Sequence, residues 1–294
     1  MYLLNRILLL LSLLTSTGGV RDVAAPTPEF SPYDYDSNPY LYSPDGTLPQ
    51  VDYAEKAVTS SSGALSVRKT LSDGRAPLIV VASRSPPTRV RLSSLCPSLL
   101  AAPLGFIPDA EQLLSTVARP ALRSILHSYS PNISPASTEH GTSLHSLPPS
   151  GPLMTQRVAE AVADSQAQRC LGGGIRTAAA SIVLCGVERD EGAKVFVTTP
   201  RGNCAEVCRD GAGFDMGGEK GGGEDVEGSW GLKAAVESAV EAVLPKEEKV
   251  EGEVENVEIS IVSEVGTLKL NEVEVKELVD RVREERAKAA AAVA

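Results

Sequence analysis

The residues best able to do chemistry are poorly spaced for it. Cysteines stand at Cys96, Cys170, Cys185, Cys204 and Cys208, and histidines at His127, His140 and His145. Cys204 and Cys208 are four apart and would share one face of a strand. Two of the histidines fall in a low-complexity stretch, so no ligand spacing suits zinc. An odd number of cysteines without regular spacing is unlike a disulfide framework, and the thiols read as small buried hydrophobes. Gly172-Gly173-Gly174 follows a helical pattern and precedes a strand, the reverse of a phosphate-binding turn. Asp109, with Gln112 three residues on, reads as a helix cap, and Glu160 to Asp164 as an exposed helix face. The pattern therefore points to no catalytic residue, no metal and no cofactor.

A different kind of site is suggested by residues 40–58, YLYSPDGTLPQVDYAEKAV, which hold three of the chain's seven tyrosines. Ser43-Pro44-Asp45-Gly46 is a turn, because proline presets φ and Asp-Gly tolerates positive φ. Gln50 to Val58 is then a short helix, with Val51, Ala54 and Val58 on one face.

The elements that must position this stretch alternate in blocks. Ala64 to Val67 and Pro77 to Ala82 read as a hairpin around Asp73-Gly74, and Leu95 to Ile107 as a third apolar run. Asp109 opens a helix with a stripe of Leu113, Leu114, Val117, Leu122, Ile125 and Leu126, which Pro120 should bend. After it comes a Ser/Pro-rich insertion, residues 130–152, expected to be disordered. Thr155 to Arg169 returns to helix, with Val158, Ala161, Val162 and Ala163 toward a core. Strands follow at Ala179 to Val187, Lys194 to Thr199 and Cys204 to Cys208. Gly211 to Gly228 reads as a mobile glycine-rich loop, and Trp230 to Leu244 as a helix with Leu232, Ala235, Val236, Ala239, Val240 and Val243 on one side. Val257 to Val262 is a strand of strict alternation, and Asn271 with Glu274 caps a last helix running to about Ala290. Strands in blocks, then helices in blocks, predict an α+β fold: a four-layer α-β-β-α sandwich of two antiparallel sheets flanked by helices.

The chain has 294 residues, enough for a full core. Its net charge of −10, from 38 acidic and 28 basic residues, disfavours a nucleic-acid partner. Residues 1–19 have the charged, apolar, then small order of a signal peptide: Met1 to Arg6, the block ILLLLSLL, then Thr15 to Gly19. That block is too short to span a bilayer as a helix. Residues 20–34 read as a disordered tail, leaving 35–290 for the folded domain.

Tyr42-Ser43-Pro44-Asp45-Gly46 followed by Gln50-Val51-Asp52-Tyr53-Ala54 resembles the signature of the α-type subunits of the 20S proteasome, which share the N-terminal-nucleophile hydrolase fold. Gly105 to Arg119 (GFIPDAEQLLSTVAR), Thr199 to Gly213 (TPRGNCAEVCRDGAG) and the last helix (LNEVEVKELV) are similar to further family segments. The resemblance spans about residues 35–286 and implies a non-catalytic subunit of a threonine-protease complex. Such a subunit would sit in a seven-membered ring with other α and β subunits, gate substrate admission, dock activators and serve ubiquitin-dependent degradation. It implies a gate-ordering cluster at Tyr35, Asp36, Pro44 and Tyr53, with Ser37 replacing the family's arginine. The family's activator-pocket lysine corresponds to Arg91, a cation of different shape.

Active members of the fold expose an N-terminal threonine whose own amine serves as base. This chain reads Ser62-Gly63-Ala64 there, and Ala82-Ser83-Arg84 replaces the lysine expected near the second strand. Thr59 and Thr70 are out of place, so a threonine peptidase is the weakest of three readings. The remaining alternative keeps the fold but moves the protein. The family default is cytoplasm and nucleus, whereas the leading segment suggests secretory-pathway entrance or a complex-plastid compartment, with divergent or lost assembly. The mature domain is expected to have no membrane partner.

Overall fold

The computed structural model describes residues 41–61, 63–70, 77–85, 92–129, 154–171, 176–188, 192–208, 213–217, 224–226, 231–245 and 256–293. The signal-like segment, the tail, the 130–152 insertion and the glycine triplet lie outside the described residues.

Helix α1 (Pro49–Thr59) precedes strands β1 (Ala64–Lys69) and β2 (Ile79–Ser85), which pair antiparallel with Val67 opposite Val81. The third apolar run falls in a tight hairpin, β3 (Ser93–Cys96) and β4 (Leu99–Gly105). Pro97 and Ser98 turn the chain between them, where proline favours a turn over a continuing ladder. Next come α2 (Ile107–Leu113), a π turn (Leu114–Ala118), α3 (Arg119–Tyr129) and α4 (Met154–Leu171). Strands β5 (Ala180–Glu188), β6 (Gly192–Thr198) and β7 (Cys204–Val207) follow. The chain then forms β8 (Gly213–Gly217), β9 (Glu224–Val226), α5 (Leu232–Val243), β10 (Asn256–Val262), β11 (Thr267–Lys269) and α6 (Glu272–Val293).

One sheet has the order β11-β10-β2-β1-β8-β9 and the other β3-β4-β5-β6-β7, and each neighbouring pair is antiparallel. Three apolar layers hold the four structural layers together. Leu65, Val67, Val81, Leu100, Val183 and Val195 fill the space between the sheets. Leu113, Leu122, Val158, Val162 and Ile182 join α2–α4 to the five-stranded sheet. Val80, Ala82, Ala239, Val240, Ile259 and Val279 join α5 and α6 to the six-stranded one. Each fully buried Leu, Ile or Val contributes about 1.5–3 kcal/mol, so these layers dominate the stability. The sandwich expected from the sequence is the observed fold.

Several local expectations are corrected. The glycine-rich stretch contains β8, which pairs with β1 from Ala64↔Gly217 to Arg68↔Gly213. Glycine is needed there for space: a Cβ on Gly213 would sit 2.7 Å from Cδ and Nη1 of Arg68. Arg68 is only 2% exposed and lies under α5, its guanidinium bonded to Asp215 at 2.6 and 3.1 Å and to Ser238 Oγ at 3.1 Å. Pro120 is accommodated by more than a bend. The π turn lets the Arg119 N–H reach back to the Leu114 carbonyl, so the regular ladder is already shifted where proline offers no donor. Cys204 and Cys208 do not share a face: Cys204 packs toward α4's layer and Cys208 into the inter-sheet core. The cause is the left-handed backbone at Cys208 (φ 59°), which breaks the alternation. Leu232, placed on the core side by spacing, is exposed because it is the first residue of its helix. The last helix bears out half of its capping box, with Asn271 N–H donating to Glu274 Oε2 at 2.9 Å.

Candidate functional site

The candidate site is the turn and helix that precede the first strand. Gly46 N–H donates to Ser43 O (2.9 Å) and closes the turn, with Gly46 at φ +77°. Ser43 N–H bonds Thr47 O at 2.8 Å, and the two hydroxyls meet at 2.9 Å. Helix α1 then begins with proline in its first turn, where the missing N–H costs nothing. It buries Val51, Ala54 and Val58. Val58 reaches the inter-sheet core beside Gly105 (φ +94°), where a Cβ would lie 2.9 Å from the valine methyl and 2.5 Å from Ala179 O. Only glycine allows strand β4 and helix α1 to approach this closely.

Two arginines stitch the neighbouring loops to this end of the molecule. Arg201, in the β6–β7 turn, grips α1: its Nε and Nη2 donate to the two oxygens of Glu55 (2.5 and 2.8 Å), and Nη2 to Asp52 Oδ1 (3.0 Å). The bond to Glu55 pushes the Arg201 pKa up, which leaves an already permanent cation permanent. The turn is itself held fast. Cys170 Sγ donates to Pro200 O at 3.1 Å, Gly202 N–H to Thr199 O at 2.9 Å, and Gly202 packs directly on Ala167 of α4. Burial pushes the Cys170 thiol pKa up, keeping it a protonated donor.

Arg176 forks onto Asp109 (2.6 and 2.7 Å), and its guanidinium lies 5.4 Å from the centroid of the Phe106 ring. Asp109 is therefore not the helix cap expected from its spacing. The helix is preceded by Phe106 with no side-chain cap bond, and Asp109 sits inside the first turn. Its carboxylate instead accepts from Arg176 and from Ala179 N–H (2.9 Å), tying α2 to the segment that leads into β5.

Of the expected site residues, Pro44 lies exposed in the turn and Tyr53 lies half exposed on α1, so one short unit carries both. Tyr35, Asp36 and Arg91 lie outside the described residues. Tyr42 and Phe106 are exposed as well. Sequence reading missed Arg201, Asp52, Glu55 and Arg176, since partners 146 and 67 residues apart share no local signal.

At the head of β1, Gly63 and Ala64 pack against Gly217. The Thr59 hydroxyl donates to Lys56 O within the last turn of α1, and Thr70 lies at the far end of the strand with its hydroxyl on Leu78 O. A cleft of about 300 Å³ opens between α5 and the β1–β8 pair. Its lining is mixed, and its charged groups are paired: Arg68 is committed to Asp215, and Arg286 donates to the carbonyls of Pro245 and Glu241.

The fold is a helix-flanked pair of antiparallel sheets, with a turn and a helix before the first strand. No family model matches the chain. The sequence is 30% identical over 256 residues to proteasome subunit alpha 2 of Haloferax volcanii, covering 83% of this chain and 90% of that protein. The chain belongs to the proteasome α-subunit family.

Proposed function

We propose that this protein is a non-catalytic structural α-type subunit of a 20S proteasome core particle. It assembles with other α and β subunits in a heptameric ring, gates substrate admission, docks activators and serves ubiquitin-dependent protein degradation. The observation that carries the reading is α1, gripped by Arg201 at Asp52 and Glu55, which holds Tyr53 at 50% exposure, with Tyr42 exposed just before the turn. Aromatics at a surface suit burial against a neighbouring protein. In the gate, Pro44 and Tyr53 act with Tyr35 and Asp36, and Arg91 receives the activator. Ala64 at the head of the first strand supports the non-catalytic role, because it has no hydroxyl to serve as nucleophile.

Affinity purification of the full-length chain tests the assembly. Co-elution with other proteasome subunits at the size of a ring is the expected result; a chain that runs only as a monomer sinks the ring-subunit reading. Peptidase turnover by the isolated chain, blocked by a threonine-directed inhibitor, would overturn the non-catalytic part.

A second reading concerns place, and the apolar block Ile7 to Leu14 favours it. Here the same subunit is routed to the secretory pathway or a complex plastid. A reporter fused to residues 1–30 that stays cytosolic excludes that routing.

A further inference from the structure

Helix α1 packs on the sandwich through a short apolar face. It has 11 residues, too few to be stable alone in water. Its N-cap position is Leu48, which makes no side-chain cap bond. It buries one alanine and two valines. Yet both of its carboxylates, Asp52 and Glu55, turn to one guanidinium on another element.

That guanidinium also stands on a rigid base. The turn carrying it is closed by Thr199 N–H to Asn203 O (3.1 Å) and Gly202 N–H to Thr199 O. It is backed by the Cys170 thiol on Pro200 O and by Ala167 beneath Gly202. A surface ion pair is ordinarily weak because two floppy side chains must be ordered together. Here the backbone behind the arginine is already fixed, and the contact to Glu55 is a two-pronged fork rather than a point contact.

We propose that Arg201 is the positioning residue for α1: it latches the helix to the β6–β7 turn and so sets the stance of the Tyr53 face. The consequence for a neighbouring subunit rests on the α-type reading above; the latch itself does not.

Hydrogen exchange of the full chain, followed by mass spectrometry, tests it. Arg201→Ala should speed exchange of the α1 amides by about 5-fold, near the upper end for an exposed pair, while β5 keeps its protection. Arg201→Lys should recover part of the protection, because an ammonium keeps the charge without the fork. Arg201→Glu should speed exchange further. Combining it with Glu55→Arg should bring α1 back to within about 2-fold of the parent, a rescue that mere loss of packing does not give. Salt at about 0.5 M should narrow the gap between parent and Arg201→Ala.

Unchanged α1 exchange in Arg201→Ala overturns the latch, and so does a charge swap that fails to restore protection. Co-purification is scored separately on the parent chain. Missing partners there count against the ring-subunit reading, and the exchange comparison decides the latch either way.

Discussion

Arg68 and Arg201 make the same two-pronged contact to a carboxylate in opposite surroundings. Arg68 is 2% exposed beneath α5 with Asp215 at 7%, whereas Arg201 is 51% exposed on a turn. Taking two charges out of water costs several kcal/mol each, so the buried pair survives only because it is fully bonded. Arg68 meets both Asp215 oxygens, Ser238 Oγ and, at 3.0 Å, the carbonyl of Val67. Arg201 has lost little hydration, so its pair adds little to global stability. Arg176 stands between them, exposed itself but gripping Asp109 at 9% exposure. Burial, more than geometry, decides whether such a pair is a requirement of the fold or a trim of one surface helix.

Mutation can break this series. Arg68→Ala or Asp215→Ala should cost about 3–5 kcal/mol in denaturant unfolding, because each strands a buried charge. Arg68→Met combined with Asp215→Leu should recover most of that loss, and failure to recover would show that the pair itself, not the orphan, matters. Gly213→Ala should cost about 1–3 kcal/mol by driving a methyl into the Arg68 side chain. Asp109→Asn should cost about 2 kcal/mol, since charge-assisted bonds to Arg176 and Ala179 N–H are weakened. Arg201→Ala should change global stability by less than about 1 kcal/mol, and a larger drop would dissolve the contrast with Arg68.

A pH response tests the same contrast between buried and exposed groups from another side. Burial holds the Cys204 thiol up at about 11, against an ordinary value of 9.0. The unfolded chain therefore releases this proton first. The contribution is full below pH 9.0, declines as pH rises toward about 11 and then levels. A pH-stepped thermal melt of the parent against Cys204→Ser should show the shallower alkaline decline in the variant.

The sandwich was legible because alternation, turn residues and apolar stripes all act locally. The turn at Pro44 and the helix through Tyr53 were legible for the same reason. Three things were not. Strand β8 was hidden by its glycines: Gly213 answers to the bulk of Arg68 on the neighbouring strand, and Gly217 to a positive φ against the Gly63 carbonyl. Asp109 had the spacing of a cap, yet a guanidinium 67 residues away competed for its carboxylate and won. The grip of Arg201 on α1 joins a turn to a helix across most of the fold, with nothing in either segment to announce the other.

Cys208 sits where the chain leaves one sheet for the other: β7 ends just before it, and β8 lies in the opposite sheet. A non-glycine residue with φ 59° carries about 1–2 kcal/mol of conformational cost. Its side chain, fully buried, plugs the seam between the sheets at that crossing. Backbone and cavity therefore pull the choice of residue in opposite directions. Glycine would relax the corner and leave a hole; valine would fill the hole and jam the corner. A thiol is small enough for the first demand and greasy enough for the second, which makes this cysteine a compromise of shape rather than a reactive group.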